Sequence, residues 1–278
     1  MRRAVVGVVT LVLAVGCTPG GTAATSGSSA AGTTSTRGAS RTGAADPAGT
    51  LAGEVTVFAA ASLEPVLDEL ADAFRARHPG VTFAPPTLDG SATLATQVVE
   101  GARADVLVTA DEATMRLVVD AGMVVGAPVV VATNTPQVVV PAGNPRGVAD
   151  LADLGDLARD GGAVVLCAPE VPCGRAARAV LDAAGVTLTP ASLEQNVTAV
   201  LTKVALGEAD AGVVYRTDVQ RAGDDVEGVD VAQAAQAVTR YPAATLAEEP
   251  AAAAFVAFLA SDEAQGLLAA HGFGPGAP

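Results

Sequence analysis

Five short segments place a small, hydroxyl-bearing or amide-bearing residue where a strand-like run meets helical periodicity. Ala59-Ala60-Ala61-Ser62-Leu63 follows the run Val55–Phe58. Asp89-Gly90-Ser91-Ala92-Thr93-Leu94 opens the helical stretch Ala92–Glu100. Val171-Pro172-Cys173-Gly174-Arg175 stands between Ala163–Leu166 and Gly174–Ala184. Gln195-Asn196-Val197-Thr198 opens the stretch Asn196–Leu206, and Gly212-Val213-Val214-Tyr215 ends a strand on one of two tyrosines. The first N–H groups of a helix have no intrahelical acceptor and sit at the positive end of its dipole. The chemistry on offer is therefore hydrogen-bond donation to an anion. Ser62, Ser91 and Tyr215 add hydroxyl donors. Three alanines before Ser62 let a ligand approach the backbone. Each residue also has a plainer reading: Ser62 and Ser91 as N-caps worth about 1 kcal/mol, Tyr215 as a boundary aromatic with a hydrated hydroxyl. Both serines would lie at the carboxyl ends of parallel strands, where open α/β sheets hold ligands.

Nucleophilic catalysis is disfavoured by the same inventory. A hydrolytic serine needs a base and an orienting acid. The only histidines are His78, before Pro79-Gly80, and His271, near the C-terminus. No G-x-S-x-G, P-loop or H-E-x-x-H is present. The chain reads as a binding protein rather than an enzyme, with no cofactor.

Alternating strands and helices must position these donors. Val55–Phe58 and Val81–Ala84 read as strands. Leu63, Val66, Leu67, Leu70 and Phe74 recur at helical spacing until His78-Pro79-Gly80. Asp105–Thr109 reads as a strand, and Asp111–Ala121 as a helix. Strands follow at Gln137–Val140, Ala163–Leu166, Ala211–Tyr215 and Val229–Ala232. Helical stretches cover Val148–Arg159 and Pro250 to about Ala270, broken at Ser261-Asp262. This alternation predicts two α/β lobes with largely parallel sheets and no long linker.

Composition limits the partners. Lys+Arg is 16 against Asp+Glu 30, a formal net charge of −14, which repels nucleic acid and anionic lipid. Tryptophan is absent and aromatics are 3%, so stacking platforms for bases or sugars are not expected. An anion site in such a chain must rest on local dipoles. At the N-terminus, Arg2 and Arg3 precede the apolar run Ala4–Val15 and Gly16-Cys17. Residues 1–16 read as a signal peptide, and the junction resembles a bacterial lipobox, with Ala14 where leucine is usual. Cys17 is then lipidated; ordinary signal cleavage is the alternative. Residues 17–53, rich in Gly, Ser, Thr and Ala, read as a lipid-anchored flexible tether. With Cys17 so used, Cys167 and Cys173 remain as a disulfide pair in an oxidising compartment; free thiols or a two-cysteine metal site are the other readings.

Taken together, the segments resemble the periplasmic molybdate-binding protein family. The match runs through Phe58–Leu63, Gly90–Gln97, Gly101–Asp111, Pro169–Gly174, Asn196-Val197 and Gly212–Tyr215, covering residues 54–273. The resemblance implies a type II periplasmic-binding-protein clamshell with its ligand in the interlobe cleft. Lobe I would hold residues 54–134 and 239–274, lobe II residues 135–238. It implies molybdate or tungstate held by Ser62, Ser91, the Cys173 and Val197 main-chain N–H groups and the Tyr215 hydroxyl. The family commonly has alanine at the Cys173 position; a Cys167–Cys173 bond would fix the turn presenting that N–H. The implied partner is the membrane permease of an ABC transporter, served by a monomer on the extracytoplasmic side of the membrane. Sulfate or another tetrahedral oxyanion is the alternative ligand.

Overall fold

The computed structural model describes residues 51–276. The signal segment, Cys17 and nearly all of the tether lie outside the described residues. In chain order the elements are β1 (Ala52–Val55), β2 (Val57–Ala60), α1 (Glu64–Arg77), β3 (Gly80–Phe83), β4 (Thr87–Asp89), α2 (Ser91–Val99), β5 (Val106–Val108), α3 (Glu112–Asp120), β6 (Val125–Asn134), β7 (Pro136–Pro141), α4 (Leu151–Arg159), β8 (Val164–Cys167), α5 (Pro172–Ala184), β9 (Ser192–Glu194), α6 (Val197–Ala205), β10 (Ala211–Tyr215), α7 (Arg216–Ala222), β11 (Val226–Val229), β12 (Thr239–Thr245), α8 (Pro250–Leu259), α9 (Asp262–Ala270) and β13 (Gly274–Pro275).

Two sheets organise the molecule. The first runs β13-β6-β12-β5-β2-β4 and the second β11-β7-β10-β8-β9. The chain passes from first to second at Thr135, between β6 and β7, and returns through residue 238 into β12. Both sheets are mixed rather than largely parallel. In the first, β2 pairs parallel with β4 and β5, while β12 runs antiparallel to β5 and β6. In the second, β8 is parallel to β9 and β10, while β7 is antiparallel to β10 and β11. The strands by which the chain enters each sheet after crossing, β7 and β12, run against most of their sheet.

The helical periodicity at residues 63–74 does what it predicts: Leu63, Val66, Leu67, Leu70 and Phe74 are all buried. Phe74 meets Phe255 of α8 edge to face at 5.3 Å, closing the core on one side of the first sheet. Two expectations need correction. Strand β1 begins at Ala52 and pairs parallel with β3, so folded structure starts before Glu54. The strand expected at Val229–Ala232 is β11, ending at Val229, and residues 232–236 turn as a 3-10 helix. Strand β6 carries Gly126 and Pro128, which argue against a strand in sequence. The register shifts between β6 and β12 are what let it pair.

Candidate functional site

The carboxyl ends of β2, β4 and β8, with the end of β10, converge on one cleft between the sheets. Its cavity is lined by Ser62, Ser91, Cys173, Val197 and Tyr215, together with Ala60, Ala61, Asp89, Gly90, Ala110, Pro172, Gln195 and Asn196. All five donors expected from sequence are thus brought together, and all are buried. The cavity volume is about 20 Å³, far below the roughly 300–1,000 Å³ of clefts for organic ligands. No Lys, Arg or His lines it among the described residues.

Neither serine caps a helix. Ser62 sits inside a 3-10 turn, residues 61–63, that precedes α1, and no side chain caps that turn. Its hydroxyl lies 2.8 Å from the Tyr241 hydroxyl. Ser91 is the first residue of α2, behind Gly90. Its oxygen accepts from the Ala110 N–H at 2.9 Å. That N–H only donates, so the Ser91 hydrogen is free to turn into the cavity.

The second half supplies main-chain donors. Helix α5 starts at Pro172, two residues earlier than expected, which puts Cys173 in its first turn. Helix α6 starts at Val197, capped by Asn196, whose Oδ1 accepts from Ala199 N–H at 2.9 Å. The Cys173 and Val197 N–H groups precede the point at which a helix supplies acceptors. The Tyr215 hydroxyl is buried with no partner in hydrogen-bonding geometry, although the Thr239 hydroxyl lies close by, and burial pushes its pKa well above the usual phenol range. A neutral phenol with an idle hydrogen remains. Tyr215 is held by its own backbone, whose N–H donates to Asp218 Oδ2 at 3.0 Å. Burial pushes the Asp218 carboxyl up to about 6.

A Cys167–Cys173 disulfide ties the end of β8 to the first turn of α5, across six residues. Closing so short a ring is worth about 2 kcal/mol in the chain-entropy account. Reduction is expected to lower thermal stability by that order and to weaken ligand binding, because the Cys173 N–H loses its anchor. Intact mass before and after reduction, with melting curves in both states, checks this; unchanged melting after verified reduction would refute it.

One lining group had no place in the sequence reading. Asp89 puts a carboxylate in the lining of the cavity. Its Oδ1 is occupied, accepting from Gly90 N–H at 2.6 Å and from Asn196 Nδ2 at 2.9 Å. The second bond crosses the cleft. Arg175 crosses it too, reaching Asp111 Oδ2 at 2.6 Å and Thr114 Oγ1 at 2.7 Å, as does Arg221 to Glu64 Oε2 at 2.6 Å. The two halves are closed on each other, with cation–carboxylate pairs at the rim and neutral donors inside. Sequence reasoning also missed Tyr241 and Asp218. Only Asp218 left a local trace, an acid three residues after Tyr215, the spacing of a capping box.

Known proteins match this arrangement. The bacterial extracellular solute-binding protein family matches residues 55–274. The molybdate-binding protein ModA of Mycobacterium tuberculosis is 43% identical over 237 residues, 83% of this chain and 88% of the relative. Among solved structures, the periplasmic molybdate-binding protein of Azotobacter vinelandii superposes with a TM-score of 0.65 at 21% identity, over 79% of this chain and 98% of that one. The sulfate-binding protein SubI of M. tuberculosis gives 0.70 at 23%, over 80% and 86%. These two likenesses concern the fold. A two-sheet body closed over a cavity of neutral donors, and a family match over nearly all the described residues, lead to one conclusion: the chain belongs to the bacterial extracellular solute-binding protein family.

Proposed function

We propose that this protein captures molybdate or tungstate outside the cytoplasm and delivers it to the permease of an ABC importer, held to the membrane by lipid on Cys17. The ligand would be held by Ser62, Ser91, Tyr215 and the Cys173 and Val197 N–H groups. The observation that carries this reading is the buried Tyr215 hydroxyl, which lines the cavity and has no acceptor. An unmet buried donor costs about 1–3 kcal/mol, and an oxyanion in the cavity would remove that cost. The 43% identity to a molybdate-binding relative supports the choice of anion. Donors from helix starts can hold a dianion without a formal countercharge, and they act at contact, where the distant surface charge is screened.

The donor set also argues against phosphate. Near neutral pH phosphate keeps a proton that needs an acceptor, and Asp89 Oδ1 already accepts twice. Burying that proton unpaired costs about 1–3 kcal/mol. Sulfate carries no proton and can be rejected only by size. Titration calorimetry of the purified protein is expected to give tight binding of molybdate and tungstate, weaker sulfate and negligible phosphate. Ser62→Ala and Ser91→Ala should each cost about 1.5–3 kcal/mol, one charge-assisted hydrogen bond. Equal affinity for sulfate and molybdate would defeat the assignment of the ligand. Unchanged binding in both serine variants would defeat the assignment of the site.

A further inference from the structure

We infer that Tyr241, which does not line the cavity, is a positioning residue that orders the Ser62 hydroxyl as a donor toward the bound oxyanion. This rests on the oxyanion-binding reading above. Counting protons fixes the direction. The Thr135 N–H can only donate, and Asn134 Oδ1 accepts it at 2.9 Å. The Asn134 amide is therefore oriented, and its Nδ2 points the other way with two hydrogens. One goes to Thr217 Oγ1 at 2.8 Å and the other to the Tyr241 oxygen at 3.2 Å. An amide nitrogen does not accept, so Tyr241 accepts there and must place its own hydrogen elsewhere. Among the described residues, Ser62 Oγ at 2.8 Å is its acceptor. The Thr239 hydroxyl is also close to Tyr241, but it is directed to the Asn134 carbonyl at 3.4 Å, and Ser62 is the better-placed acceptor. Ser62 accepts from Tyr241, and the single Ser62 hydrogen is left for the cavity.

The consequence is specificity. A serine free to rotate can donate or accept, and as an acceptor it would serve a protonated oxyanion. The Tyr241 hydrogen takes that role away. Ser62 then has the same polarity that the Ala110 N–H imposes on Ser91. The chain of bonds is anchored where the two halves join, because Thr135 links β6 to β7 and Thr217 lies on α7. Tyr241 is fully buried on β12, 179 residues from Ser62, so its ring and hydroxyl are held rigidly.

A double-mutant cycle on the full chain tests the assignment, read by calorimetry with molybdate, sulfate and phosphate. Tyr241→Phe is expected to weaken binding of the preferred dianion by about 10-fold, the loss of one ordered hydrogen bond. The ratio of phosphate to dianion affinity should rise by a similar factor. Ser62→Ala should weaken the dianion comparably, and the double variant should bind no worse than Ser62→Ala alone. Additive losses, or an unchanged phosphate ratio, would overturn the proposal, since a purely structural tyrosine moves neither coupling nor selectivity. Asn134→Asp serves as a second variant. Its carboxylate accepts the Tyr241 hydrogen, which reverses the chain and draws the Ser62 hydrogen away from the ligand. Its penalty should vanish in the Ser62→Ala background; charge repulsion alone would persist there and would count against the proposal. Should the wild type prefer sulfate to molybdate, the ligand reading fails, and the same cycle run with sulfate still decides the role of Tyr241.

Discussion

Gly90→Ala is expected to fold normally and to lose oxyanion affinity by about three orders of magnitude, roughly 4 kcal/mol. Gly90 has φ −58° and ψ 130°, a conformation open to any residue, so alanine introduces no backbone strain. The obstacle lies across the cleft. A Cβ on Gly90 would stand 2.3 Å from the Gln195 carbonyl oxygen and 3.5 Å from the Asn196 Cβ. Those atoms belong to the second half, immediately before Val197. They cannot yield easily, because Asn196 caps α6 and its Nδ2 is committed to Asp89. Closure would stop short, with the Val197 and Cys173 N–H groups and the Tyr215 hydroxyl out of reach of an anion seated on Ser62 and Ser91. Each bond to a charged partner is worth about 1.5–3 kcal/mol, which sets the scale of the loss. Without ligand, stability should be unchanged or higher by about 0.4–1 kcal/mol, because alanine reduces the freedom of the unfolded chain. Calorimetry with molybdate gives the affinity, and small-angle scattering with and without ligand gives the closure. Wild-type affinity in this variant would show that the contact between Gly90 and Gln195 does not limit closure.

Gly174→Ala should instead unfold the second half locally. Its Cβ would fall 1.8 Å from the Ala168 carbonyl oxygen and 2.9 Å from that of Cys167. The first turn of α5 folds back onto the end of β8 there, and the Cys167–Cys173 bond holds it in place. No side chain can move aside, since the clash is with main chain. Overpacking of this kind costs several kcal/mol. About 3 kcal/mol would appear as a fall in melting temperature of roughly 6–12 °C for a chain of this size. Binding should be lost as well, because the displaced turn carries the Cys173 N–H. The pair of glycine variants separates two failures: Gly90→Ala loses affinity at full stability, Gly174→Ala loses both. A Gly174→Ala protein that melts like the wild type would contradict the close packing of this turn.

The contrast between the two glycines also marks how far sequence could be read. Gly174 stood in a legible segment, between a strand and a helix, beside a cysteine whose partner followed from compartment and elimination of Cys17. Gly90 stood in an equally legible segment, yet its main constraint is the Gln195 carbonyl, 105 residues away. The serines divide in the same manner. Their place beside helix starts was plain, and the capping role was the natural local expectation. In the folded protein the Ser91 oxygen is taken by Ala110 N–H and the Ser62 oxygen by Tyr241, so neither caps.

What the sequence by itself determined are the properties that hydrogen bonding along the chain dictates. A helix that begins within two residues of Ala92, Gly174 or Asn196 leaves its first N–H groups without intrahelical acceptors whatever surrounds it. Apolar spacing from Leu63 to Phe74 decides which face of α1 is buried. Alternating strands and helices settle the α/β class. Tertiary structure alone decided the rest: which way each serine hydrogen points, which acid holds Tyr215, where Arg175 and Arg221 pin the halves together, and how β6 becomes a strand despite Gly126 and Pro128. Each of these depends on atoms that meet only after the chain has crossed between the sheets at Thr135 and returned into β12. A hydroxyl has no polarity of its own, so its role is set by whichever fixed donor the fold brings against it.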